Sequence, residues 1–185
     1  MEIDKLFGLP AHPLLVHVPV VLIPMAGLIA LAMAIRPVWF VKHGWGLCVI
    51  TGIGALGAIM AAGSGEQLEH MVGRNALIED HAQAGELART ISIIFFVVVT
   101  ALKVYQVRTA KQAARSAVTD TSPVKQAAWV GIVTSLLLGV SGIAGTVAVA
   151  VAGHDGAKAS WQERVDQSGQ APDGQAPADQ HDDDD

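Results

Sequence analysis

Histidine is the side chain in this sequence best able to do chemistry, and its placement is uneven. His12 and His17 stand in AHPLLVHVP, each close to a proline, at the head of a run that reaches Ile35 without Lys, Arg, Asp or Glu. His70 follows the small-residue stretch GLCVITGIGALGAIMAAGSG, His81 lies in EDHAQAGELA and His154 in GHDGAKASW. Imidazole titrates near neutrality, binds metals through either ring nitrogen and is an axial ligand of haem iron. Carboxylates stand nearby: Glu66 and Glu69 before His70, Glu86 after His81, Asp155 after His154. The single cysteine, Cys48, can build neither a disulfide nor a thiolate cluster within one chain. Glu66, Glu69 and His70 read more simply as a solvated helix end than as a general acid–base set. No GxSxG, HExxH or phosphate-loop pattern occurs, so hydrolase chemistry has no motif here.

The elements that must position these residues are apolar helices. The chain of 185 residues is 51% hydrophobic and 16% charged, against about 25% charged in ordinary soluble domains, and its mean hydropathy is +0.43. About 20 apolar residues cross the hydrocarbon core of a bilayer. Spans are expected at about 13–35, 44–66, 81–105 and 125–152, making residues 1–161 a four-helix transmembrane domain. Pro13 suits a first helical turn, where its missing N–H is not needed. Pro19 and Pro24 are expected to kink the first helix, with Arg36-Pro37 ending it and a loop from Pro37 to His43. Helix 2 carries small residues four apart (Gly54 with Ala58, Gly57 with Ala61, Ala58 with Ala62), as does helix 4 (Ser135 with Gly139, Ser141 with Gly145); such faces let backbones pack closely in lipid. Asp80 with Gln83 reads as a capping box opening helix 3. Val107 to Pro123 reads as a basic loop. Residues 162–185, rich in Gly, Pro, Ala and Asp, are expected to be disordered. The fold class is therefore all-α, an integral membrane antiparallel four-helix bundle with a disordered acidic tail.

A cleaved signal peptide is not expected: Ala32-Met33-Ala34 mimics a cleavage site, but the N-terminal lead is acidic and the apolar run too long. The net charge of −5 comes largely from the tail and gives no case for nucleic-acid binding. Of the 12 basic residues, Arg36, Lys42, Lys103, Arg108, Lys111, Arg115 and Lys125 flank the helix 1–2 and 3–4 loops. Cytoplasmic loops carry the positive excess, so both termini are expected outside. His12, His17, His70, His81 and His154 then gather at the outer end, with His43 at the inner end.

These residues resemble the DUF2231 family of bacterial membrane proteins. The likeness covers roughly Pro10 to Trp161 and rests on HPLLVHVP, the small-residue helix 2, the histidine opening helix 3 within EDHAQAGELA, and the glycine-rich exit from helix 4. Val18 stands where the family often has an aromatic residue, and GHDGAKASW departs from its Gly-Gly-rich ending. The resemblance implies a four-helix domain in the bacterial cytoplasmic membrane and no settled activity. More loosely, the pattern is similar to four-helix b-type cytochromes.

Three readings follow. In the first, the outer histidines hold a cofactor for electron transfer. His17 and His81 are then the candidate axial ligands of haem b, with Arg89 at a propionate; the metal variant uses His12, His70 or His154 with Glu66, Glu69 or Asp155 to bind Zn²⁺ or Cu²⁺. In the second, the chain holds no cofactor and is a non-catalytic accessory subunit, its small-residue faces binding other membrane subunits or a second copy within the bilayer. The third, a transporter or proton path, ranks last, because the inner half has few polar residues. Enzymatic activity is not expected.

Overall fold

A computed structural model describes residues 5–6, 9–72, 75–116 and 124–169. A two-residue antiparallel ladder, β1 (Lys5–Leu6) with β2 (Leu9–Pro10), precedes the helices. The first span is α1 (Ala11–Leu15) continued by α2 (His17–Ile35). Then come α3 (Pro37–Val72), α4 (Ala76–Ser116) and α5 (Val124–Gly169). Four segments are long and apolar enough to cross a membrane: Ala11–Ile35, Pro37–Met71, Ala76–Arg115 and Trp129–Gln162. Each packs chiefly on two neighbours, so the helices form a ring in the order first span, α3, α4, α5.

The helix boundaries have local causes. The residue before a proline is pushed out of the helical region, and Arg36, at φ −125° and ψ 82°, ends α2. Pro37 then opens α3 at the first position, where its fixed φ suits a helix. The loop expected from Pro37 to His43 is therefore helix, and one residue joins the first two spans. The expected capping box at Asp80 lies inside α4; Asn75 caps that helix instead, its Oδ1 accepting from the Ile78 N–H at 2.9 Å. Much of the expected 107–123 loop is helix, since α4 reaches Ser116. Residues 162–169 continue α5; the rest of the tail lies outside the described residues.

The core is built from Ile23, Ala26, Ala30, Leu47, Phe95, Val99 and Leu138 with their neighbours. Small residues set the helix separations. A Cβ at Gly54 would stand 2.6 Å from Ile23 Cδ1, and one at Gly57 would stand 2.5 Å from Val18 Cγ1. Gly142 lies against Gly27, where a Cβ would come within 3.1 Å of the Gly27 carbonyl oxygen. The close-packing faces of α3 and α5 are thus used within the chain. Leu28, Ile35, Leu56, Leu136 and Val140 point outward, as lipid-facing residues of a membrane bundle do. Trp39, Trp45, Tyr105 and Trp129 are exposed near the Arg36 end, the position of an interfacial aromatic belt.

Candidate functional site

Ile35 and His12 are separated by 23 residues of first-span helix (35 − 12 = 23), about 34 Å of rise. The hydrocarbon core is about 30 Å thick, so with Arg36 at one membrane surface His12 reaches the other. Here α1, α3, α4 and α5 bring two imidazoles together. The ring of His12 stands edge-on to that of His81, centroids 5.9 Å apart and planes at 76°.

Each ring is fixed by the helix beside it. His12 Nδ1 donates to the Ala61 carbonyl on α3 at 2.9 Å, and His81 Nδ1 donates to the Ala152 carbonyl on α5 at 3.0 Å. A carbonyl oxygen only accepts, so the proton must sit on Nδ1 in both rings. The neutral imidazole then keeps its lone pair on Nε2, the second ring nitrogen. Ser64 Oγ, which also donates to the Ala61 carbonyl at 2.9 Å, lies 3.4 Å from His12 Nδ1. Glycine makes the room. A Cβ at Gly65 would stand 3.0 Å from His12 Cε1, and one at Gly156 would stand 2.8 Å from His81 Cε1. Both rings are half-buried.

The other candidates are placed differently. His17 is exposed, and its Nδ1 is 2.6 Å from the Pro13 carbonyl of the preceding turn. The histidine that meets His81 is thus His12 and not His17. His70, His154 and Glu66 are exposed, and Glu69 is half-buried. Asp155 faces Lys158 at 4.0 Å, and Arg89 is engaged by Glu86 at 2.9 Å. Among the described residues, no three His, Cys, Asp or Glu side chains converge as a metal-ligand set. His43 is exposed at the far end.

One polar residue was missed as a packing element. Lys103, counted among the loop cations, is 3% exposed. Its Nζ donates to the carbonyls of Phe40 (3.3 Å) and Val41 (2.8 Å) and to Gln106 Oε1 (2.8 Å), and it lies 5.6 Å from the Phe40 ring centroid. The signal was in the spacing: Ala88, Ser92, Phe95, Val99 and Lys103 fall on one helical stripe.

Fold and composition together define a small multi-pass membrane protein with a four-helix bundle. The chain belongs to the DUF2231 family of predicted membrane proteins, whose profile matches residues 8–169. Comparison with curated proteins gives no significant match. Comparison with solved structures gives none either.

Proposed function

We propose that this protein holds haem b between His12 and His81 and passes electrons at one surface of the bacterial cytoplasmic membrane. The supporting observation is the pair itself: two half-buried imidazoles from different helices, each donating Nδ1–H to a backbone carbonyl. Histidines that ligate metals commonly direct the second nitrogen to such an acceptor, which fixes the ring and leaves Nε2 for the metal. Haem iron is held by protein side chains such as histidine, and the imidazoles of His12 and His81 would supply that hold. A Zn²⁺ or Cu²⁺ site wants three or four donors, and here two imidazoles meet without a third ligand among the described residues. With ring centroids 5.9 Å apart, His12 and His81 would share one group rather than hold two.

When bound, haem would supply reversible one-electron chemistry. The chain's own part is to hold the imidazoles, keep their tautomers fixed and surround them with the small residues Ala61, Gly65, Ala152 and Gly156. Arg89, already engaged by Glu86, is not needed for this reading. The orientation, with both termini and the histidine pair outside, rests on the basic residues Arg36, Lys42, Arg108, Lys111 and Arg115 around the opposite end.

The test is the reduced-minus-oxidised visible spectrum of protein expressed with a haem supply and purified in mild detergent. Haem in a one-to-one ratio is expected, lost in His12→Ala and in His81→Ala and retained in His17→Ala and His43→Ala. A parent that takes up no haem overturns the reading and returns the chain to the accessory-subunit class.

A further inference from the structure

The two halves of the bundle carry the same arrangement. In the first span, Pro19, Ile23, Ala26 and Ala30 are buried. One constant shift along the chain carries these four onto Ala88, Ser92, Phe95 and Val99, which with Lys103 are the buried residues among those described in α4. The span's other buried residues, Ala11, Gly27 and Met33, fall on the less buried Asp80, Phe96 and Leu102. The same shift carries His12 onto His81. A second constant shift carries Leu47, Thr51, Gly54, Gly57 and Ala58 of α3 onto Leu138, Gly142, Gly145, Ala148 and Val149, and these five are the buried residues among those whose side chains are described in α5. It also carries Ala61, whose carbonyl holds His12, onto Ala152, whose carbonyl holds His81. Gly65, which makes room for His12, falls on Gly156, which makes room for His81. Helix contacts obey the same relation: exchanging the first span with α4 and α3 with α5 leaves the ring of neighbours unchanged.

We infer that the chain is one helical-hairpin unit used twice about a pseudo-two-fold axis along the bundle, and that the His12–His81 pair is a single ligand site shared equally by the two units. Parallel repeats related by an axis along the membrane normal are a known plan of membrane proteins. Side-chain volume is divided between the copies layer by layer. Ile23 is matched with Ser92, Ala26 with Phe95 and Ala30 with Val99, so the larger residue comes from one copy or the other. The repeat is hidden in the sequence because few positions keep their identity. His12 with His81, Leu47 with Leu138, Gly54 with Gly145, Ala61 with Ala152 and Gly65 with Gly156 do, whereas Gly57 falls on Ala148 and Thr51 on Gly142. The copies part at the inner end, where Lys103 takes the place of Ala34. A pair related in this way presents the same atom from both sides. Its ligand is a single metal centre taken by two like nitrogens, in contrast to an organic substrate handled by distinct acid and base groups. The metal part of this inference rests on the cofactor reading above; the duplication does not.

The duplication is tested by exchanging core residues between equivalent positions of the full-length protein and following thermal unfolding in detergent. Ala26→Phe and Phe95→Ala should each lower Tm by about 5–15 °C, and the double variant should regain most of the loss. Ala30→Val with Val99→Ala is the gentler exchange should the first fail to fold. The mismatched double, Ala26→Phe with Val99→Ala, should regain nothing. Matched doubles as unstable as the sum of their singles, or a mismatched double that recovers equally, would overturn the duplication. The shared site is tested with haem-loaded His12→Met and His81→Met. Equivalent ligands give two variants with the same spectrum; a shift in one variant alone overturns the sharing. A parent without haem defeats only the cofactor reading, and the core exchanges then decide the inference.

Discussion

The Nδ1 of His12 reaches the Ala61 carbonyl at 2.9 Å, and four residues further along α3 Gly65 leaves the space that the ring occupies. One helix turn thus supplies both the acceptor and the gap, since residues four apart share a face. Gly156 bears the same relation to Ala152 and His81 on α5.

A methyl group at Gly156 would meet the His81 ring at 2.8 Å, where the hydrogen bond to Ala152 keeps the ring from swinging away. Gly156→Val should displace the imidazole and reduce haem uptake several-fold, while Gly153→Val, with open space around it, should not. Haem-to-protein ratio in the two purified variants checks this. Equal ratios would show that the ring tolerates the displacement.

Close approach of α3 to the first span depends on Gly57, where a Cβ would press on Val18 and Pro19. Gly57→Leu should destabilise the bundle on the order of 1–3 kcal/mol through overpacking. Gly63→Leu, with nothing within 4 Å of its Cβ position, is the matched control. Unfolding in a detergent series measures both.

Lys103 ties α4 to the start of α3 through the carbonyls of Phe40 and Val41. Lys103→Glu would set an acceptor against two acceptors in a site 3% exposed. A loss of about 3–5 kcal/mol, the size seen when a buried charge loses its partners, is expected. Lys103→Met, which keeps the stem and removes the charge, should cost less. If the two substitutions cost the same, the amine contributes only packing.

Orientation is read by labelling intact cells with a membrane-impermeant thiol reagent. Cysteine placed at Ser168 should react and cysteine at Ser116 should not, if both termini are outside. Cys48, 6% exposed between helices, should stay silent in the parent. The opposite labelling pattern would put the histidine pair on the cytoplasmic side.

The four spans and the gathering of histidines at one end were legible in the sequence because they depend on local properties. Span length and hydropathy fix where a helix crosses a bilayer, and short antiparallel connections fix which ends lie together. The sequence accordingly puts His12 and His81 at one end of the bundle and Gly54 and Gly57 on a close-packing face, while leaving open what that face meets. Helix limits were harder, because Pro37 and Asn75 open helices earlier than the apolar pattern begins.

Which histidine faces inward was settled by the tertiary structure alone. Five residues turn a helix through about 500°, leaving His17 roughly 140° around from His12, so the two cannot both face the bundle. The first span is apolar on every side, since lipid and a bundle interior favour the same residues, and its sequence therefore carries no stripe marking the inner face. Packing made the choice: Val18 and Pro19 seat against Gly57, and Ile23 against Gly54 and Gly145. That contact turns His12 toward Ala61 and His81 and leaves His17 exposed beside its own Pro13 carbonyl. The same rotation argument applies to Lys103, whose sequence position is at a helix end but whose place on the stripe with Phe95 and Val99 carries it under the start of α3.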